Sequence, residues 1–232
     1  MDLFYSLNTK LNALVWGTPL LILILGVGIY LTVGLRFLQF TGIRKVFTTI
    51  FSRPKGEGDI SPFAALNVAL GGTVGVGNIA GVATAIALGG PGAIFWMWIS
   101  GLVGMAIKFS EVVLGVHFRV REKGGPMLGG PMMYIKRGLP GAFHFMGYLF
   151  AIFGAIAAFG IGNMTQANSV AHGALEFGIP RYVTALVLIT GVGLVTIGGI
   201  KRIAHVAMVC VPFMCGLYFI AVSYTHLTLP TN

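Results

Sequence analysis

Asn67-Val-Ala-Leu-Gly-Gly-Thr-Val-Gly-Val-Gly-Asn-Ile-Ala-Gly-Val-Ala83 is apolar enough to cross a bilayer, yet Gly71, Gly72, Gly75, Gly77 and Gly81 crowd its middle. Glycine costs about 1 kcal/mol relative to alanine in a helix interior, so a spanning helix of this composition is set to break at mid-depth. Irregular backbone is tolerated there only where it is buried in protein or lines a watery cavity. The N–H and C=O groups freed at such a break are those with which many transporters hold a polar substrate and its coupling ion. The segment therefore reads as half of a binding site in a membrane transporter.

Working outward, composition places the whole chain in the membrane. Its 232 residues are 56% hydrophobic and only 9% charged, where a soluble domain carries roughly 25% charged residues. The net charge of +9 raises the possibility of a nucleic-acid partner, and the placement of the basic residues decides against it. Arg36, Arg44, Lys45, Arg53 and Lys55 share one connection; Arg119, Arg121, Lys123, Lys136 and Arg137 share another; Lys201-Arg202 form a third group. Only Lys10 and Arg181 fall in the alternate connections, and Lys108 lies inside an apolar segment. This is the positive-inside pattern of a membrane protein, not a basic patch for phosphates.

Windows of about 20 apolar residues predict six spans, near 15–36, 62–88, 92–117, 142–170, 182–199 and 203–222. The charge bias then puts the N-terminus outside and loops 37–61, 118–141 and 200–202 in the cytoplasm. Ser61-Pro62 supplies an N-cap and a first-turn proline, and Gly89-Gly90-Pro91-Gly92 a tight outer turn. Gly124-Gly-Pro-Met-Leu-Gly-Gly-Pro131 is too rich in glycine and proline for a helix and predicts a compact connection. No cleavable signal peptide is evident, because the apolar run after Lys10 is too long.

Rival readings of the residues fail on context. Gly75-Val-Gly-Asn-Ile-Ala80 matches the dinucleotide fingerprint, but the next acidic residue is Glu111 and no βαβ unit surrounds it. Gly71/Gly75 and Gly77/Gly81 form G-x-x-x-G packing pairs. Packing alone leaves Asn67, Thr73 and Asn78 unexplained, since polar groups in apolar surroundings need partners. Cys210 and Cys215 lack a metal or redox spacing, and the five histidines are scattered. In the fourth span Asn163 and Gln166 lie three apart and share a face with Thr165 nearby. Lys108 and Glu111, spaced i,i+3 within one span, are expected to pair, because an unpaired charge at mid-bilayer costs about 2.5–3.5 kcal/mol.

The run from Gly71 to Ala83, followed by Gly89-Gly-Pro-Gly-Ala-Ile-Phe-Trp-Met-Trp98 and Gly104-Met-Ala-Ile-Lys-Phe-Ser-Glu111, resembles the alanine/glycine:cation symporter family. Gly160-Ile-Gly-Asn-Met-Thr-Gln-Ala-Asn-Ser169 and Gly198-Gly-Ile-Lys-Arg-Ile203 extend the resemblance, which covers about residues 1–222. It implies an all-α integral membrane protein with an extra N-terminal helix and an inverted 5+5 repeat, of which six transmembrane helices, the extra one and the first five-helix repeat, lie here. Residues 223–232 do not resemble the family, and the missing second repeat marks the chain as an expected N-terminal fragment without transport of its own.

The resemblance also implies roles. Val74-Gly-Val-Gly-Asn78 is similar to the run with which related sodium-coupled carriers bind substrate. The N–H groups of Val76 and Gly77 are then expected to hold a substrate carboxylate, with the carbonyls of Gly71 and Val74 on sodium. Thr73, Gly75, Asn78 and Gln166 complete the expected substrate site. The implied function is sodium- or proton-coupled symport of small neutral amino acids such as alanine or glycine, in the cell membrane, with Na+ as coupling ion, no other cofactor, no nucleic acid, and a full-length form that is a monomer. A membrane-embedded enzyme would need a nucleophile–base pair or metal cluster, which is not visible; a scaffold or channel-like half-protein is the other alternative.

Overall fold

A computed structural model describes residues 2–52, 60–121 and 127–228. The described chain is helical except for one short hairpin. Its helices are α1 (Asp2–Val15), α2 (Thr18–Gly34), α3 (Leu38–Thr41), α4 (Ile43–Ile50), α5 (Pro62–Thr73), α6 (Val82–Gly89) and α7 (Gly92–His117). After strands β1 (Val120–Arg121) and β2 (Met127–Leu128) follow α8 (Pro131–Gly138), α9 (His144–Ala157), α10 (Thr165–Glu176), α11 (Arg181–Thr196) and α12 (Gly199–Thr228). A π-helical turn at Gly77–Gly81 leads into α6, and a second at Ala158–Met164 joins α9 to α10.

Among the described residues, four stretches are long and apolar enough to cross a membrane: Tyr5–Gly34, Gly92–His117, Gly141–Glu176 and Gly199–Ala221. Pro62–Thr73 and Gly77–Gly89 pass the same test together as one span bent by 57°, which makes five. The remaining expected span, 182–199, coincides with a shorter apolar helix, Arg181–Thr196. Arg181–Thr196 has 16 residues, about 24 Å of helix against a hydrocarbon core of about 30 Å.

The chain divides into two units, residues 1–44 with 85–157 and residues 45–84 with 158–232. In the first, α2 packs on α7, and α8 on α9. Gly28 is buried at the α2–α7 contact, where a Cβ would collide with the side chain of Val103 and lie 3.2 Å from its carbonyl oxygen. Such close approach of small residues is how helices associate in lipid. Gln39 clamps this unit: its Nε2 donates to Thr32 Oγ1 at 2.8 Å and to the Leu102 carbonyl at 3.2 Å. Lys108 Nζ donates to Glu111 Oε2 at 2.8 Å, the expected i,i+3 pair. Beside it a cleft of about 430 Å³ is lined by Leu31, Ser110, Glu111, Pro131, Tyr134 and Phe150. Burial, then the charge of Glu111, raises the Tyr134 phenol above its ordinary pKa, against the pull of Lys108. Trp16, Trp96 and Trp98 are all exposed, just before α2 and early in α7.

In the second unit α5 packs on α12, with Ala64, Asn67, Ala204 and Val211 buried. Ser61 caps α5 as expected, its hydroxyl accepting from the Ala64 N–H at 3.2 Å. The connection predicted as compact at 124–131 is seen only from residue 127; Met127 and Leu128 pair antiparallel with Arg121 and Val120, and residues 124–126 lie outside the described residues.

Candidate functional site

Residues 62–84, which contain the break, and α10 belong to the same unit, so the expected site residues can be placed against one another. Helix α5 ends at Thr73, whose hydroxyl donates back to the Ala69 carbonyl at 2.6 Å. Val74 turns extended, at φ −85° and ψ 110°, while its N–H still closes the helix onto Leu70 at 2.7 Å. One residue's change of ψ is enough to redirect the chain, since an α-helix needs ψ near −42°.

The next two N–H groups no longer serve α5. Gly75 donates to Asn78 Oδ1 at 3.1 Å, and Asn78 N–H returns to the Gly75 carbonyl at 3.0 Å. This is the side-chain half of a capping box, with Asn78 reaching back to the residue three positions before it. Val76 donates to Gln166 Oε1 at 3.2 Å, a bond across 90 positions of sequence. The donors that would close the last α5 turn onto the carbonyls of Gly71 and Gly72 are thus committed elsewhere. The end of α5 consequently presents carbonyl oxygen, suited to a hard cation. Gly77 opens the second half-helix, where the first N–H groups have no acceptor within their own helix and favour an anion. A break in this form can hold both ends of a zwitterion and a cation beside it.

The glycines differ in what surrounds them. A Cβ on Gly75 would lie 3.2 Å from both amide heteroatoms of Gln166, so the side chain of Gln166 lies across this residue. A Cβ on Gly71 would touch Val211 at 3.3 Å, which makes Gly71 a packing residue of the α5–α12 contact. At Gly77 and Gly81 there is open space. Asn67, grouped with the polar residues of the break from sequence, is buried in α5 and donates to its own helix at Phe63 O, 2.8 Å away.

Gln166 follows the second π-helical turn, which carries Gly160-Ile-Gly-Asn163, a repeat of the Gly-x-Gly-Asn pattern at 75–78. A π turn shifts the helical phase, and here it directly precedes the side chain that reaches the break. Sequence reasoning missed Gly72. Its carbonyl becomes a candidate ligand only once the Val76 N–H is known to point at Gln166, and the sole signal was the i,i+4 relation between the two.

A discontinuous apolar helix with polar backbone exposed at its break, in a chain of long apolar helices, defines the class of membrane transporters. The chain belongs to the sodium:alanine symporter family, whose sequence model matches residues 1–228; the family is one of transporters, not enzymes. Among its relatives are an "uncharacterized transporter" of Haemophilus influenzae, 49% identical over 92% of this chain and 47% of its own length, and the sodium/alanine symporter AgcS of Methanococcus maripaludis, 48% identical over 94% and 49%. The amino-acid carrier protein AlsT of Bacillus subtilis is 37% identical over 97% of this chain and 48% of its own length. The chain spans about half the length of the curated relatives it matches.

Proposed function

We propose that the protein carrying this chain is a symporter of small neutral amino acids such as alanine or glycine, coupled to sodium or to protons, in the cell membrane. One observation carries the reading: the Gly75 and Val76 N–H groups have left α5, so carbonyls at Gly71 and Gly72 face the break from one side and the N-terminus of the second half-helix faces it from the other. The substrate carboxylate binds at the N–H groups of Val76 and Gly77, taking over the acceptor position that Gln166 holds. Sodium binds at the carbonyls of Gly71 and Val74, with that of Gly72 beside them. Thr73, Gly75, Asn78 and Gln166 shape the substrate side. Family membership and the name of the Methanococcus relative support alanine and sodium.

Six spans with an external N-terminus complete this reading, Arg181–Thr196 crossing with the help of its flanking residues. The spans from residue 62 onward form the first half of an inverted repeat, and the monomer works by rocking one repeat against the other. The test is uptake of labelled alanine and glycine by proteoliposomes of the carrier containing this sequence, under an imposed sodium or proton gradient. Saturable uptake that follows one gradient is expected. Uptake indifferent to both gradients, or none for any small neutral amino acid, overturns the reading.

A further inference from the structure

The connection read from sequence as loop 37–61 contains α4, Ile43-Arg-Lys-Val-Phe-Thr-Thr-Ile50. At 3.6 residues per turn Ile43, Val46, Phe47 and Ile50 fall within an arc of about 100°, the width of a buried apolar stripe. Arg44, Lys45, Thr48 and Thr49 occupy the opposite face. Yet Ile43, Val46 and Phe47 are exposed, Phe47 at 62%. Among the described residues α4 packs against no other element as the spans do.

An isolated eight-residue helix has no reason to persist in water, where helices under about 12 residues are marginal even in favourable sequences. Its polar face is locally satisfied, Thr48 and Thr49 hydroxyls both donating to the Lys45 carbonyl at 2.9 and 2.8 Å. The apolar face is the one left to account for. In sequence α4 begins shortly after the end of span α2. Span α2 stops at Gly34, and Arg36 and Phe37 both take left-handed conformations, φ 52° and 57°. Two such residues in succession are unfavourable for side chains with a Cβ, and they turn the chain off the axis of the span. The bonds Phe37 N–H to Thr32 O, at 2.9 Å, and Gln39 Nε2 to Thr32 Oγ1 fix that turn. At the far end of α4, Phe51 stacks on Phe63 at 6.0 Å, in the first turn of the broken span.

We propose that α4 lies in the headgroup layer of the bilayer, with the Ile43, Val46, Phe47 and Ile50 stripe in the acyl region and Arg44 and Lys45 on the phosphates of anionic phospholipid. The apolar stripe, the basic opposite edge and attachment to spans at both ends are the features of an interfacial helix. The inference requires the chain to be embedded in a membrane and does not depend on transport.

The test uses the full protein with its cysteines, Cys210 and Cys215 among them, replaced by alanine, reconstituted in vesicles of phosphatidylcholine alone or with phosphatidylglycerol. A fluorophore is attached through Phe47→Cys or, on the opposite face, Thr48→Cys. Strong quenching by lipid-borne nitroxide at position 47, with quenching by aqueous iodide at position 48, is expected. In the mixed vesicles labelled phosphatidylglycerol should be enriched around α4, and Arg44→Gln or Lys45→Gln should each lower that enrichment by up to about fivefold. Equal access of iodide to both positions, or shielding of position 47 from both quenchers, overturns the interfacial placement, the latter by showing that protein covers the stripe. Enrichment unchanged in both charge variants overturns the anionic headgroup assignment.

Discussion

The N–H of Val76 is the residue-scale hinge of the proposed mechanism, because one acceptor at a time can occupy it. Gln166 supplies a neutral amide oxygen at 3.2 Å, and a substrate carboxylate is a charged and therefore stronger acceptor. Gln166→Glu would put a carboxylate on that N–H permanently. KM for alanine is expected to rise by about tenfold or more, with thermal stability unchanged or higher. An unaltered KM in an uptake assay would remove Gln166 from the substrate site. Gly77 offers the complementary test. An added Cβ there meets no heavy atom within 4 Å, so Gly77→Val is not excluded by packing. It would nonetheless crowd the approach to the half-helix N-terminus. Loss of alanine binding with normal membrane insertion is expected; near-normal affinity would move the site away from residues 74–78.

At the scale of elements, what composition could announce and what it could not are divided by local physics. The break was legible because the glycines between Gly71 and Gly81 make a continuous helix unfavourable in any context, and the 57° bend lies there. The bond from Gln166 to Val76 was not legible as geometry. Spacing put Gln166 on a polar face of its span, but the π-helical turn that precedes it has no composition signal. Helix α4 was hidden for another reason: eight residues are too few for a window of about 20 to register. Arg181–Thr196 passed the window but is short once its ends are fixed by Pro180 and the turn after Thr196. The α2–α7 contact yields a prediction of its own. Gly28→Ala places a methyl group against Val103, and a collision of this kind costs about 1–3 kcal/mol when the backbone cannot retreat. A lower unfolding temperature in detergent is expected, and an unchanged one would mean that α2 and α7 are not held at this distance.

For the molecule as a whole, the buried apolar residues are small: Ala64, Ala106, Ala204 and Val211, among the described residues. Large side chains such as Leu88, Phe159, Phe177 and Ile197 point outward. Lipid is as apolar as leucine, so helices within it associate through close packing of small residues instead of burial of large ones. The proposed orientation puts Lys45, Arg137 and Lys201 in the cytoplasm, and an impermeant thiol reagent applied to intact cells should fail to label cysteine introduced at any of them. Labelling at residue 45 from outside would invert the topology. The tryptophans carry a separate consequence. Trp16, Trp96 and Trp98 precede α2 or lie early in α7, all exposed, and the proposed orientation sets both helix starts at the same membrane face. The intrinsic fluorescence of this chain is therefore a gauge of one leaflet: its colour and intensity follow the composition of the outer lipid layer and remain largely silent about whether the helices behind it are still assembled.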